Sequence, residues 1–384
     1  MARALPENLV EEVDQSNLAA ERTRLYQTIT DVLSPGPTAS TEEKLLALVQ
    51  NWQSVFGKLD DFAEPLYEQA NILAATCSIT GSRKLREIEF DWAIIDEGGR
   101  ATATELLVPL VRSQRSIIVG DERQLPPMVD SDLKSEALKH LDLTHDELEK
   151  SLFETLVAQG REEELPAVQM LKEQYRMHPA IGEMISQVFY DRKLKHATRF
   201  SERDHKLRWL ESAVVWYSTT RLPNHGENQR GSSFSNPAEV NAIVQLLERL
   251  EKSYLEIGEK RNVAVITPYN EQILLLRERI QPSNMRRWIA LAIEIASVDA
   301  FQGRDSHIVL YSTVRSNKRR QLGFLKDRRR LNVALSRAQQ LLIMIGDIGM
   351  LGEARGEKDE NPYRLLIRYM RNNPDDCLIE DIHE

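Results

Sequence analysis

Residues Trp92–Pro127 read WAIIDEGGRATATELLVPLVRSQRSIIVGDERQLPP. Two short apolar runs, Trp92–Ile95 and Ile117–Val119, end abruptly in Asp-Glu and in Gly-Asp, with an amphipathic segment of helical length between them. Short apolar runs bounded by polar residues are the pattern of strands buried on both faces, so the stretch predicts strand, helix, strand with the two strands parallel. In parallel α/β sheets the ligand sits beyond the carboxyl ends of the strands, which is where Asp96, Glu97, Asp121 and Gln124 fall. Adjacent acids there can hold a magnesium ion and activate a water, which points to phosphoryl chemistry. Taken alone, the pair reads more readily as an ordinary strand ending in a solvated turn, and what lies downstream reverses that preference.

The 384 residues are chain enough for about two domains with sizeable cores. Apolar residues make up 41% and charged residues 28%, ordinary for a soluble globular protein, and the net charge of -9 excludes a uniformly basic protein that coats nucleic acid. A local basic groove stays compatible with that total. Cys77 and Cys377 are too few for a disulfide scaffold and too far apart for a metal knuckle, so no zinc site is readable and a reducing compartment is expected. MARALPENLVEEVDQ at the amino terminus has no apolar core of signal-peptide length, and no run approaches a membrane span. The expectation is a cytoplasmic protein, or a nuclear one in a eukaryote, with no membrane contact.

Residues 1–70 read as a helical hairpin or stalk. Pro6–Leu33 carries Leu9, Val13, Leu25, Ile29 and Val32, and Ser34–Pro37 (SPGP) ends the pattern. Ser40 with Glu43 then forms a capping box ahead of a helix bearing Leu45, Leu48, Val49, Trp52, Val55 and Phe56 on one face. Its role is packing, or contact with a strand or a partner. Ile72–Cys77 (ILAATC) reads as a further buried strand, and Ser131–Gly160 as helical with Leu152, Phe153, Leu156 and Val157 inward. A domain boundary is placed near Pro166. Beyond it, strands are predicted at Ala213–Tyr217, Val263–Thr267, Glu294–Val298, His307–Thr313 and Leu341–Ile345, alternating with helices such as Ala238–Lys252 and Tyr269–Ile280. That alternation predicts a second parallel α/β domain.

The ordered motifs DEGGRATATELLVPL (Asp96–Leu110), GDERQLPP (Gly120–Pro127), LKEQYRMHP (Leu171–Pro179), VAVITPYNEQ (Val263–Gln272), VDAFQGRD (Val298–Asp305), VLYSTVRS (Val309–Ser316) and LNVALSRA (Leu331–Ala338) carry the function. In this order they resemble the superfamily 1 helicases that move 5′ to 3′, the branch of the nonsense-mediated-decay helicase, senataxin and the immunoglobulin mu-binding helicase. The resemblance runs from about Ile72 to Asp347. It implies an α/β fold of two RecA-like, P-loop NTPase-type domains with parallel sheets: a partial first domain over 71–165, holding the Walker B side, and a second over 166–384. Nucleotide would lie between them and single-stranded nucleic acid across the top.

On that resemblance the cofactors are ATP and Mg²⁺. Asp96 would coordinate the metal, commonly through water, and Glu97 would orient and deprotonate the attacking water. Gln124 would sense the γ-phosphate. Arg176 and Arg337 would act as arginine fingers, because charge on the equatorial oxygens is stabilised in a water-poor cleft. Tyr175 offers a flat face for the adenine, and Gln302, Gly303, Arg304 and Asp305 form a turn whose glycine lets the backbone approach a phosphate or ribose. Relatives usually carry Glu where this chain has Asp305, and Gln where it has Arg100. Thr76, Thr267, Pro268, Tyr269, Ser312, Thr313 and Arg315 fit contacts with a single strand, and the basic segment Arg315–Arg330 supplies a local positive field. Backbone-directed contacts of this kind suit RNA and DNA alike. His178 and the other histidines have no metal spacing and read as structural.

These helicases hold the β- and γ-phosphates with a glycine-rich loop ending in Gly-Lys-Thr or Gly-Lys-Ser, and the 384 residues contain no such motif. GSRKL at Gly81–Leu85 has the wrong spacing and follows the wrong strand. The expectation is an ATP-dependent helicase or translocase segment that hydrolyses ATP poorly by itself and needs a P-loop from another segment or a second polypeptide. A truncated product fits the same observation. The alternative is a degenerate, non-hydrolysing module that binds single-stranded nucleic acid or a partner protein.

Overall fold

The computed structural model describes Tyr67 and residues 70–85, 88–128, 150–280, 288–354 and 361–383. Apart from Tyr67 and residue 70, the expected hairpin over 1–70 and the part of the expected helix from Ser131 to 149 lie outside the described residues. Those residues form two compact units, one holding the described residues up to Asp96 with Ala103–Ile118, the other Glu97–Thr102 with the described residues from Val119 onward.

In the first unit, strand β1 (Phe90–Ile95) and strand β2 (Ser113–Ile118) pair in parallel, with Trp92 opposite Arg115 and Ile95 opposite Ile118, and helix α1 (Ala103–Leu110) makes the crossover. This is the strand-helix-strand unit read from the sequence. Arg112, just after α1, donates to the carbonyls of Leu85 and Ile88 and ties the preceding loop to the crossover. The ILAATC run is not a strand. Ile72 is 88% exposed, and the end of the run closes into a helical turn, Cys77–Thr80, in which the Thr76 carbonyl accepts from the amides of Ile79 and Thr80. A short apolar run is strand-like by periodicity alone; here no described strand pairs with it, and the backbone hydrogen bonds of its end go to the helical turn instead.

The second unit opens with helix α2 (Leu152–Glu162), capped by Ser151, whose hydroxyl accepts from the Glu154 amide at 3.0 Å. Of its expected inward residues Phe153 is buried and Leu156 is exposed. Helix α3 (Pro179–Phe189) has proline at its first position and His178 as cap, Nδ1 accepting from the Ala180 amide. Burial lowers the His178 pKa to about 4, with His205 adding to the fall, so the ring is neutral and its cap nitrogen free to accept. That is the structural role the sequence assigned to it.

Next come strand β3 (Val214–Ser218), helix α4 (Pro237–Ile257), strand β4 (Arg261–Thr267), helix α5 (Asn270–Ile280), strand β5 (Leu291–Ser297), strand β6 (Ser306–Ser312), helix α6 (Arg328–Leu335), strand β7 (Ala338–Gly346), helix α7 (Pro362–Asn372) and strand β8 (Cys377–Asp381). The six strands form one sheet in the order β8-β3-β7-β6-β4-β5, every neighbouring pair parallel. Alternation along each strand splits its residues between two cores. Val214 and Trp216 face the side covered by α3, α6 and α7, while Val215 and Tyr217 face the side covered by α4 and α5. Such a doubly covered sheet requires the near-continuous apolar runs seen in the sequence and places its strands' carboxyl ends along one rim. Five strands fall where the sequence predicted them; β8, at the edge, was not predicted.

Candidate nucleotide site and nucleic-acid face

Among the described residues of the second unit, the loop Val119–Gln124 is braced by the turn that Glu97 opens. The Gly98 amide donates to the Val119 carbonyl at 2.8 Å, and a Cβ on Gly120 would lie 2.7 Å from the Gly99 nitrogen, so this close approach requires glycine. Glu97 itself is exposed and sits in the left-handed region, φ 55°, a strained conformation for a glutamate.

Asp121 organises the loop. It accepts from the Arg123 amide (2.9 Å), from Gln124 Nε2 (2.8 Å) and from the Tyr190 hydroxyl (2.5 Å). Asn332 Nδ2, on α6, donates to Tyr190 Oη at 2.8 Å and to the Arg123 carbonyl at 2.9 Å. Burial and the Asp121 carboxylate push the Tyr190 hydroxyl well above its ordinary pKa, so it stays a proton donor. Gln124 is held at both ends of its amide, because Arg337 Nη2 donates to Gln124 Oε1 at 3.1 Å.

Arg337 is 2% exposed and also donates to the carbonyls of Val333 and Arg304. Its pKa is lowered to about 10, chiefly by burial and then by the nearby Arg176 guanidinium, with Glu97 and Asp305 acting in the opposite sense. Arg176 Nε lies 3.2 Å from Asp305 Oδ2, and Gln339 Nε2 donates to Asp305 Oδ1 at 2.9 Å. The structure therefore brings Gln124, Arg176, Arg337 and Asp305 together, with Glu97 close enough to act on Arg337. Asp305 has an arginine partner of its own here.

In the turn after β5, Gly303 has φ 77° with open space around it, and Gln302 Oε1 is buried with no hydrogen-bond partner. Arg304 pairs with Glu294 at 2.7 Å and stacks on Phe301. Tyr175 is 66% exposed, its hydroxyl donating to Glu173 at 3.1 Å, so its ring is open to a flat ligand.

Thr76 is exposed and Pro268 half-buried, but Thr267, Tyr269, Ser312, Thr313 and Arg315 are buried. Thr267 Oγ1 has no hydrogen-bond partner. Arg315 forms a two-pronged pair with Glu227, Nε–Oε2 2.8 Å and Nη2–Oε1 3.0 Å. Glu239, on α4, accepts from Ser312 Oγ (2.6 Å), Thr313 Oγ1 (3.2 Å) and the Val314 amide (2.9 Å). Much of the basic segment is likewise partnered: Arg329 by Glu154, Arg330 by Asp299, Arg320 by Glu353, and Arg328 by the Val188 carbonyl. Lys318 and Arg319 are exposed. Sequence reasoning missed Glu227, Glu239, Tyr190 and Asn332. Only Glu239 left a trace, as the acid in the first turn of a helix capped by Asn236.

Burial holds the Glu239 carboxyl up at about 8, against the pull of its three donors, and Asp347 adds to the rise. A folded-state pKa above the unfolded value means that the native state binds the extra proton. This contribution is therefore complete below about pH 4.5 and is lost as pH rises through about 8. The slope between is about 1.4 kcal/mol per pH unit. In urea titrations, wild type is expected to lose roughly 2 kcal/mol more than Glu239→Gln between pH 6 and pH 8. Parallel pH profiles for the two proteins would overturn the assignment.

Residues 148–349 match a family model described as an AAA domain, and residues 15–132 match a second AAA-domain model. The chain belongs to the superfamily 1 helicases of the 5′-to-3′ branch, whose AAA domains these are. It is 35% identical over 298 residues to the Drosophila melanogaster homologue of regulator of nonsense transcripts 1, a match covering 75% of this chain and 23% of that protein. It is 29% identical to an uncharacterized ATP-dependent helicase of Methanocaldococcus jannaschii (83% of this chain, 45% of that one) and 30% identical to a mouse 5′-3′ DNA helicase (76% and 14%). The chain thus spans less than half the length of each of these relatives. Among solved structures, the arterivirus nonstructural protein 10 helicase aligns over 86% of this chain and 59% of that one at 14% identity and a TM-score of 0.33, too distant to add to the family match. Among the described residues, no helix is long and apolar enough to cross a membrane.

Proposed function

We propose that this chain is a segment of an ATP-dependent nucleic-acid translocase, with a partial RecA-like domain over 71–165 and a second over 166–384. The observation that carries this reading is the convergence of Arg176 and Arg337 beside Gln124. A buried guanidinium with a second guanidinium near enough to disfavour its charge is costly to hold, and a polyanion such as a triphosphate offsets the cost. In this reading Arg176 and Arg337 stabilise charge on the transferring phosphoryl group, Gln124 reports its presence to the Asp121–Tyr190–Asn332 network, and Glu97 positions and deprotonates water. Tyr175 stacks on the base, while Gln302 and Gly303 meet ribose or phosphate.

Among the described residues no cluster of three His, Cys, Asp or Glu side chains is placed to hold a metal. Magnesium held by one carboxylate, water and phosphate oxygens needs no such cluster, and the exposed Asp96 at the end of β1 fits that donor set. When bound, the ion neutralises charge on the bridging and terminal phosphate oxygens. The phosphate cradle itself comes from a P-loop outside these 384 residues.

The test is reconstitution. The chain alone is expected to bind ATP weakly and hydrolyse it little. Supplied with a polypeptide carrying a helicase Gly-Lys-Thr loop and its strand, it should show hydrolysis stimulated by single-stranded nucleic acid. Brisk hydrolysis by the chain alone would overturn the P-loop dependence, and a reconstituted assembly that binds ATP yet is indifferent to nucleic acid would overturn the translocase reading.

A further inference from the structure

The residues of the second unit expected from sequence to meet a single strand are largely buried, which leaves open what surface they build. Tyr269 follows β4 and packs against two rings, Phe234, edge-on with centroids 5.4 Å apart, and Phe324, tilted by 36° at 5.8 Å. Arg315 packs against the same rings, its guanidinium 4.1 Å from the Phe234 centroid and 3.3 Å from the Tyr269 hydroxyl, locked by its pair with Glu227, whose side chain is 10% exposed. Gly323, at φ 58°, lies so close that a Cβ there would strike Arg315 Nη1 and come within 3.0 Å of the Tyr269 hydroxyl. The short turn Gly323–Lys326 is held by the Leu325 amide donating to the Leu322 carbonyl and the Asp327 amide to the Phe324 carbonyl. What this stack presents to solvent is Phe324, 54% exposed.

A large apolar side chain on the surface is unremarkable when it is loose. Phe324 is not loose: a desolvated ion pair, a left-handed glycine and an aromatic ring fix it from below. The Arg330 guanidinium stands 5.7 Å from its centroid, and exposed Lys326 is two residues on. A rigid, half-exposed aromatic face with a guanidinium beside it, at the carboxyl-end rim of the sheet, matches the chemistry of an unstacked nucleobase.

We propose that Phe324 is a base-stacking platform for single-stranded nucleic acid, an inference that rests on the nucleic-acid reading above and assigns it a specific contact. The Arg315–Glu227 pair, Gly323 and Tyr269 position the ring. Stacking is tolerant of sequence, because every base has a π face, so the platform serves movement along a strand.

The test is a titration of an oligothymidylate carrying a single 2-aminopurine, followed by fluorescence at several salt concentrations. Phe324→Ala and Phe324→Leu are expected to weaken binding by about 5- to 150-fold, the range for loss of one stacked base, and to lose part of the 2-aminopurine quenching. Phe324→Trp should bind at least as tightly as wild type. The slope of log affinity against log salt should be the same in all of them, because it counts neutralised phosphates and not stacking. Wild-type affinity and quenching in Phe324→Ala would overturn the platform while leaving nucleic-acid binding intact. Failure of wild type itself to bind the oligonucleotide at low salt would overturn the nucleic-acid reading and the platform with it.

Discussion

Arg337→Ala is expected to lower nucleic-acid-stimulated ATP hydrolysis by the P-loop-completed helicase about 10³- to 10⁵-fold, the range for loss of an arginine finger. The buried guanidinium is depressed by desolvation and by Arg176, so the folded protein holds a cation where cation is disfavoured. Its four hydrogen-bond partners are neutral oxygens, two carbonyls, the Gln124 amide and the Ser336 hydroxyl, which orient the group without cancelling its charge. A group so arranged stabilises negative charge that appears at the top of the barrier, so the loss should fall on kcat and not on KM. Arg337→Lys keeps a charge but lacks the planar fork that reaches both Gln124 and a phosphoryl oxygen, and should recover little. Steady-state ATPase rates at saturating nucleic acid make the measurement, with urea midpoints as a check on folding. Single-strand affinity without nucleotide should hardly change. A kcat within tenfold of wild type in Arg337→Ala would remove this residue from the chemistry.

The sequence made these arginines legible because their type is itself the chemistry, and a motif order places them. The sheet strands were legible for a similar reason: Val263–Ile266 or Leu341–Ile345 must be apolar throughout if both faces are covered. β8 escaped because Cys377–Asp381 lies at the sheet edge, half-buried and ending in acids, and carries too little of that pattern. ILAATC had the pattern without a described strand beside it. On the nucleic-acid face the sequence located the loops and left side-chain direction undetermined. Ser312, Thr313 and Arg315 follow a strand end, as strand-binding residues would, yet they turn inward onto Glu239 and Glu227, which lie 73 and 88 residues away in the chain for the Ser312 and Arg315 contacts. Nothing local announces partners at such separations. Phe324 went unnoticed for the complementary reason, since a single aromatic in a charged run has no periodicity to expose it.

Glu97→Gln in the completed helicase is expected to lower turnover about 10²- to 10⁴-fold, the usual contribution of a positioned general base. The amide is nearly isosteric and can still orient a water through its oxygen, but it cannot take the proton. Glu97 stands in a left-handed backbone conformation that glutamate rarely adopts, next to two glycines packed on the Val119–Gln124 loop. Strain of this kind persists only where surrounding contacts enforce it, and the carboxylate it holds in place is exposed. Because the substitution leaves backbone and arginines in place, ATP should still bind and still change single-strand affinity in Glu97→Gln, so binding and turnover separate. A degenerate binding module makes a different set of expectations: affinity indifferent to ATP, to Glu97 and to Arg337 alike. Full turnover in Glu97→Gln would show that another group takes the proton, and ATP-indifferent binding in both variants and in wild type would favour the binding module over the motor.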